Sequence, residues 1–324
     1  MLARIAGDVP LPAHLRGGVV AIGNFDGVHR GHQAVLERAL QEAQKRGVPA
    51  LVLTFHPHPR KFFRPQVPLF VLTPSQMKAK LLDRLGFAAV VEQEFTSGFS
   101  TKSAEDFVAS ILRDNLGICH AVTGFNFHFG KNRQGGPAFL MDAGERYGFG
   151  VTLVDAFRDE GAQIISSSRI RELLAQGDVE QAAGLLGYRF TVCGKVIDGQ
   201  KLGRTLGFPT ANMCLPSEVE LREGIYAVRF RRADGSLHDG VASFGRRPTV
   251  DDNGAPLLET FVFDFSGNLY GEVCEVSFFS YLRGEEKFDG LESLVAQMKR
   301  DEQEARAVLA AVRPLSELDA AISF

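Results

Sequence analysis

Four cysteines in 324 residues, Cys119, Cys193, Cys214 and Cys274, stand far apart, and no two form a C-x-x-C pair. That spacing encodes neither a zinc knuckle nor a redox dithiol, so they are expected to be reduced core residues, a free thiol behaving as a small hydrophobe. No stretch approaches the roughly 20 apolar residues of a membrane-spanning helix. The opening segment, Met1 to Gly18, mixes Arg4, Asp8, His14 and Arg16 with prolines and lacks the apolar run of a secretory signal. Excess positive charge is missing too: a formal net charge of -3 argues against a nucleic-acid protein, which needs a strongly basic face. No internal repeat or low-complexity tract is visible. The expectation is a soluble cytoplasmic protein with small anionic ligands, no nucleic-acid or membrane partner, and self-association left open.

What is present suffices for a packed interior, since 45% of residues are hydrophobic, and the length fits two domains better than one. In the first half, short apolar runs (Val19-Ile22, Ala50-Phe55, Ala89-Val91, Ala121-Thr123, Val151-Val154) alternate with helical periods such as Val35/Leu36/Ala39/Leu40/Ala43. This predicts a parallel sheet with helices on both faces, whose ligand crevice lies at the carboxyl ends of the strands. A helical stretch from Leu173 to Leu186 is closed by Gly187. Strand-like runs then succeed one another (Phe190-Ile197, Gly224-Phe230, Gly240-Phe244, Glu259-Phe265, Glu272-Phe279) before an amphipathic helix over Leu291 to Leu309. The predicted fold class is α/β plus β-barrel, with domains 1–186 and 187–324.

The run Gly23-Asn24-Phe25-Asp26-Gly27-Val28-His29-Arg30-Gly31-His32 follows the first strand and opens a helix. His29 and His32 project from one helical turn, whose free N-H groups and dipole attract a polyphosphate; Gly31 removes a side chain where phosphates approach. The pattern suits attack by a phosphate oxygen on the α-phosphorus of a nucleotide. That nucleophile is already ionised near neutral pH, so positioning and charge stabilisation suffice. The alternative is a capped helix with two exposed imidazoles. Ser166-Ser167-Ser168-Arg169-Ile170-Arg171 opens a later helix and offers hydroxyl and guanidinium donors. Thr54-Phe55-His56-Pro57-His58-Pro59 faces the same crevice or is only a stiff loop. Asn126, in Gly124-Phe125-Asn126-Phe127-His128, is a base or phosphate contact or ordinary strand packing. A metal site at His56, His58 and His128 is disfavoured, because no carboxylate or cysteine accompanies them.

The second half lacks the Lys-Ser/Thr ending of a P-loop but places Gly194 and Lys195 ahead of Gly203-Arg204-Thr205-Leu206-Gly207-Phe208-Pro209-Thr210-Ala211-Asn212. Thr210 and Asn212, read as lying in a rigid turn, are two oxygen ligands suited to a magnesium ion that shares phosphate oxygens. Phosphoryl transfer to an alcohol needs a residue to accept the hydroxyl proton. Glu259, opening an otherwise apolar strand, is the candidate; an edge-strand glutamate facing water is the bland reading, and Asp264 and Glu275 are weaker choices. Arg283 either borders a substrate pocket or belongs to a solvated charge run.

Together these segments resemble the bacterial bifunctional riboflavin kinase/FMN adenylyltransferase family, also called prokaryotic FAD synthetases. The order of motifs matches over almost the whole chain: G-N-F-D-G-V-H-x-G-H, T-F-x-P-H-P, the later I-S-S box, G-R-x-L-G-F-P-T-A-N, R-P-T-V, the glutamate strand and K-F-D. The resemblance implies a Rossmann-like nucleotidylyltransferase domain that joins FMN to AMP, giving FAD and pyrophosphate. It also implies a β-barrel kinase that phosphorylates riboflavin with ATP and Mg2+. By the same resemblance, catalytic roles fall to His29, His32 and Glu259. Nucleotide contacts fall to Gly23, Asn24, Phe25, Asp26, Gly31, Asn126, Ser167, Ser168, Arg171, Gly194, Lys195, Gly203, Arg204, Thr210 and Asn212, the last two also holding the metal. His58, Phe208 and Arg283 are candidate flavin contacts. Ser168 replaces a threonine, and Ser243-Phe244-Gly245-Arg246 stands where Asn-Ile-Gly-Thr is more usual. A kinase or adenylyltransferase with one silent half, a flavin-binding regulator and a nucleotidylyltransferase for another substrate are the rivals; intact motifs in both halves disfavour them.

Overall fold

The computed structural model describes residues 2–198, 208–246 and 256–324. The chain divides into two compact units, Met1–Ser167 and Ser168–Phe324.

In the first unit six strands form one sheet: β1 (Ala3–Ala6), β2 (Val19–Ile22), β3 (Ala50–His56), β4 (Ala89–Glu94), β5 (His120–Gly124) and β6 (Gly150–Val154), in the order β1-β4-β3-β2-β5-β6. All neighbours are parallel. Five are announced by apolar runs. The sixth, β1, has only Ile5 among its strong apolar residues, and it forms because its backbone pairs with the edge of β4, Ile5 opposite Val91. Residues Val19 to Ile22 are all buried, and since successive strand side chains point to opposite faces, both faces are covered. On one face Val20, Ile22, Leu51, Leu53 and Val91 meet Phe107, Val108, Ile111 and Leu112 of a π-helical segment, Phe107–Asn115. The other is closed by α1 (Arg30–Arg46), whose buried Val35, Leu36, Ala39 and Ala43 recur at helical spacing and pack on β2 and β5. Gly47, at φ 66°, ends α1 by donating back to Ala43 O. Further helices of this unit include α2 (Pro59–Phe63), α3 (Ser75–Leu85) and α4 (Pro137–Tyr147).

Strand order reverses at β2, with β3 on one side and β5 on the other, so the connections leaving β2 and β5 diverge and leave a crevice at their carboxyl ends. The segment from Gly23 to His32 begins there.

The second unit takes in most of α5 (Ser167–Gln176) together with α6 (Val179–Leu186). Asp178 caps α6 by accepting from Gln181 N, and Gly187 ends it. A closed barrel follows, β7 (Thr191–Ile197), β8 (Thr210–Cys214), β9 (Gly224–Arg231), β10 (Leu237–Arg246), β11 (Pro256–Val262) and β12 (Val273–Arg283), in the order β10-β11-β8-β7-β12-β9. Every pair is antiparallel. The expected turn at Thr210–Asn212 is therefore corrected to a strand: Ala211 and Met213 alternate inward, and that burial outweighs the turn signal of Pro209. Tyr226, Phe230, Phe244, Val276 and Phe278 fill the interior. Outside, Ala305 and Leu309 of α7 (Leu291–Ala311) cover Ala227, Phe263 and Phe279. This protects one side of the barrel wall and leaves β7, β8 and β11 to carry other residues. A last helix, α8 (Glu317–Ser323), follows.

The cysteines are all free, but they are not all core residues. Cys274 is buried, and burial pushes its thiol up to about 11, whereas Cys214 is exposed at the end of β8. Among the described residues no helix is long and apolar enough to cross a membrane.

Asp319 of α8 is fully buried; its carboxylate accepts from Arg189 N at 2.8 Å and Leu315 N at 3.0 Å and faces Arg189 Nη1 at 3.4 Å. Asp319→Ala strands a buried guanidinium and should cost about 3–5 kcal/mol. The joint change Arg189→Met with Asp319→Leu removes the stranded charge and should cost less, the remainder being the unmet Arg189 and Leu315 N-H groups. Urea unfolding followed by circular dichroism measures both; an equal loss in the two proteins would show that the ion pair is not what matters there.

Candidate active sites

His29 is the N-cap of α1: its backbone is extended (φ -65°, ψ 168°) and its Nδ1 accepts from His32 N at 3.2 Å. An accepting Nδ1 leaves the ring proton on Nε2, the nitrogen available as a donor. The rings of His29 and His32 stack with centroids 3.6 Å apart, and Phe25 meets His32 edge-on at 5.4 Å. Burial, followed by the charges of His29 and Lys78, holds His32 well below the usual imidazole range, so it is neutral at pH 7. The bland picture of two exposed imidazoles does not hold: His29 is buried and His32 half-buried. Gly31 serves this pair, because a methyl group there would sit 3.2 Å from the His29 ring.

The turn before the helix is strained. Phe25 and Val28 have φ of 47° and 39°, a region that β-branched and aromatic residues rarely enter, while Gly27 at 90° does so freely. Asp26 is buried; its Oδ1 accepts from Thr73 N at 3.1 Å, and Gly27 N donates to Thr73 Oγ1 at 2.9 Å. Asp26 thus staples the turn through its side chain, and Ser167 Oγ donates to its carbonyl at 2.8 Å. Gly23 leaves room for the Phe25 ring, which would lie 3.0 Å from an added methyl. Two buried polar atoms at the crevice have no protein partner, Asn24 Oδ1 and His32 Nδ1. An unmet buried polar atom costs about 1–3 kcal/mol, so both mark positions where a polar ligand would be stabilising.

Other predicted residues of this half are spread more widely. Asn126 is exposed two residues beyond β5, on the second strand of the switch point. His58 caps α2 by accepting from Arg60 N at 3.1 Å. Ser168 is exposed and Arg171 half-buried on α5, both in the second unit. Among the described residues no three histidine, cysteine, aspartate or glutamate side chains are grouped to hold a metal. Sequence reasoning missed Lys78 and Thr73. The only signal for Lys78 was a lysine inside the apolar period of α3.

In the barrel, register decides which residues meet. Ile197, Asn212, Glu259 and Ser243 are successive partners across β7, β8, β11 and β10. Their inward neighbours Val196, Met213, Leu258 and Phe244 form the adjacent buried row, so this row lies on the outer wall. Directly opposed residues have Cβ atoms about 4.5–5.5 Å apart, which puts Glu259 between Asn212 and Ser243. Thr210, two residues from Asn212 on the same face, opposes Phe261, whose ring meets Phe208 at 5.0 Å. Asn212 is 4% exposed; its Nδ2 donates to Thr210 O at 3.3 Å, but its Oδ1 is buried without a partner. An orphaned amide oxygen beside a hydroxyl and a carboxylate is the hard-oxygen donor set that a divalent cation takes, so the residues present fit a metal.

Glu285, not singled out from sequence, joins this patch: Gly245 has no side chain, and a methyl there would lie 2.5 Å from Glu285 Oε1. Burial, then the charges of Glu223 and Glu259, pushes Glu285 up. The alternative base Asp264 is exposed and held by both Nη atoms of Arg306 at 2.9 and 3.0 Å. Arg283 is engaged with Asp301 of α7 at 2.8 and 2.6 Å and with Gly284 O. Lys195 is exposed on β7, and Gly194 beside it lies 3.4 Å, measured from an added methyl, from Met213 Sδ. Gly203 and Arg204 lie outside the described residues.

A parallel sheet whose switch point receives a histidine-capped helix places the first unit in the nucleotidylyltransferase class, and the closed antiparallel barrel is a separate, second kind of domain. A family description of FAD synthetases matches residues 11–169, and one of riboflavin kinases matches 186–309. The bifunctional riboflavin kinase/FMN adenylyltransferase of Listeria monocytogenes is 40% identical over 90% of this chain and 92% of its own length. That of Pseudomonas fluorescens is 41% identical over 92% and 95%. A crystal structure from Streptococcus pneumoniae, described as a macrolide-efflux protein, superposes with a TM-score of 0.83 at 30% identity, covering 94% of this chain and 99% of that one. The chain belongs to the bifunctional riboflavin kinase/FMN adenylyltransferase family.

The two jobs of His29 are separable. His29→Asn keeps a capping oxygen and should leave the first unit about as stable as the parent, whereas His29→Ala should lose about 1 kcal/mol. Thermal and urea unfolding compare them; equal destabilisation would mean that the cap contributes nothing.

Proposed function

We propose that this chain converts riboflavin to FAD in two ATP-dependent steps, adenylyl transfer residing in 1–186 and riboflavin phosphorylation in 187–324. It works in the cytoplasm, with ATP as co-substrate and Mg2+ as the cation. The observation that supports two active reactions, rather than one with a silent partner, is that each half keeps buried polar atoms with no protein partner, Asn24 Oδ1 and His32 Nδ1 in one and Asn212 Oδ1 in the other.

In the first half, the FMN phosphate attacks the α-phosphorus of ATP; the new P-O bond forms as the α-β bridging bond breaks, and pyrophosphate leaves. No base is needed, because the attacking oxygen is already ionised. The Nε2-H of His29 and the positive N-terminal end of α1 stabilise charge on the phosphates, and the neutral His32 supports the His29 ring by stacking. Asn24, Asn126 and Ser167 line the nucleotide, with His58 towards the flavin.

In the second half, Glu259 takes the proton of the ribityl 5'-hydroxyl as that oxygen attacks the γ-phosphorus, and ADP leaves. Thr210 and Asn212 would hold the magnesium ion, which would supply neutralisation of phosphate charge when bound. Phe208, backed by Phe261, offers an apolar edge to the flavin. Arg283 acts indirectly, anchoring Asp301 in the middle of α7.

Glu259→Ala should lower FMN formation from riboflavin by about 100-fold or more while conversion of FMN to FAD stays near normal; His32→Ala should do the reverse. Chromatography of flavins after incubation with ATP and Mg2+ reads both steps. Loss of both activities in each folded single mutant would refute independent sites, and an unmodified chain making neither product would refute the function.

A further inference from the structure

Lys78 belongs to no motif that marks the first site, yet it is 9% exposed and lies immediately behind that site. Its Nζ donates to Asn24 O at 2.6 Å and to Thr54 Oγ1 at 3.2 Å, and Thr54 Oγ1 donates to the same carbonyl at 3.1 Å. This triangle ties the last residue before the strained turn to the carboxyl end of β3. A buried ammonium is costly to keep and is expected where its fixed charge and directed donors are required.

The turn needs such restraint. Left-handed conformations at Phe25 and Val28 persist only where the surroundings over-determine them. Gln33 Nε2 donates to Val28 O at 2.7 Å, Ser167 Oγ to Asp26 O at 2.8 Å and Thr73 Oγ1 to Phe25 O at 3.4 Å. Asn24 O is the entry point, and Lys78 is its only charged donor among these bonds. The charged and titratable groups around the lysine are His32 on the helix side, Asp26 on the turn, and Glu92 on β4, which is bound by Ser75 and Arg4; burial lowers the pKa of the ammonium, and the two carboxylates oppose that shift.

We propose that Lys78 is a positioning residue for adenylyl transfer: its ammonium fixes the Asn24 carbonyl against Thr54, holds the Asn24–Val28 turn in its strained form, and keeps a positive charge behind His32. This rests on the reading that the first unit adenylylates FMN. Removing the charge lets the His32 midpoint rise, because a neighbouring cation opposes protonation.

The full-length Lys78→Met protein should adenylylate FMN with kcat lower by on the order of 10- to 100-fold and KM for ATP nearly unchanged. Riboflavin phosphorylation by the same sample should be normal. The His32 ring proton signal, followed by NMR against pH and assigned with His32→Gln, should titrate at higher pH in Lys78→Met and stay near the parent midpoint in Lys78→Arg. A wild-type kcat in Lys78→Met, or an unmoved His32 midpoint, overturns the proposal. Should Lys78→Met fail to fold, Thr54→Val decides: a lower kcat at unchanged KM supports the triangle, and a wild-type kcat overturns it. An unmodified chain that makes no FAD from FMN defeats the adenylylation reading itself, whereas an active parent with unaffected variants defeats only the role of Lys78.

Discussion

The reversal of strand order about β2 is the constraint on which the chemistry of the first unit depends. Because neighbouring crossovers leave in opposite directions, the backbone after β2 emerges into an open crevice instead of under a helix. The chain must then turn within a few residues to start α1, and it does so through positive φ values at Phe25, Gly27 and Val28. The side chains around that turn are therefore chosen to restrain backbone. Thr73, Ser167, Lys78 and Gln33 each hold at least one of its carbonyls or amides, and the Asp26 carboxylate ties it to Thr73 N. His29 is both part of that restraint and the group presented to the crevice.

The second unit solves the same problem with register. A closed barrel has no free edges, so each residue of the outer wall has fixed neighbours on both sides. Ile197, Asn212, Glu259 and Ser243 meet because their inward neighbours are apolar and must point into the core; a slip of one residue would bury the glutamate and expose Leu258. Helix α7 covers the wall at Ala227, Phe263 and Phe279, leaving the Asn212–Glu259 patch to face other partners. Both units thus fix polar groups on a buried apolar frame.

Much of this was legible in the sequence, for identifiable reasons. Periodicity revealed five parallel strands, α1 and α7, since burial of one face imposes the spacing; the last helix, α8, was not foreseen. The His29-x-Gly31-His32 turn was legible because capping and phosphate attraction are both local properties of a helix start. Strand β1 was not, because an edge strand of four residues needs no apolar run when its partner supplies the hydrogen bonds. Thr210–Asn212 read as a turn because Pro209 signals locally, while the pairing that makes it a strand lies 47 residues away at Glu259, opposite Asn212. Thr73 and Glu285 were invisible for the same reason, since nothing in their own surroundings in sequence distinguishes them from loop or surface residues, and Lys78 showed only as a lysine inside the apolar period of α3.

The sequence by itself determined the kinds of element, the two-part organisation and the residue types offered for chemistry, because propensity, capping and apolar spacing act over a few residues. Tertiary structure alone decided that a lysine sits behind the histidine pair, that Arg283 is committed to Asp301, and that an asparagine, a glutamate and a serine from three strands form one row. Those outcomes depend on which strands become neighbours and in what register. That is settled by the burial of the whole apolar surface at once, a quantity that no single segment contains.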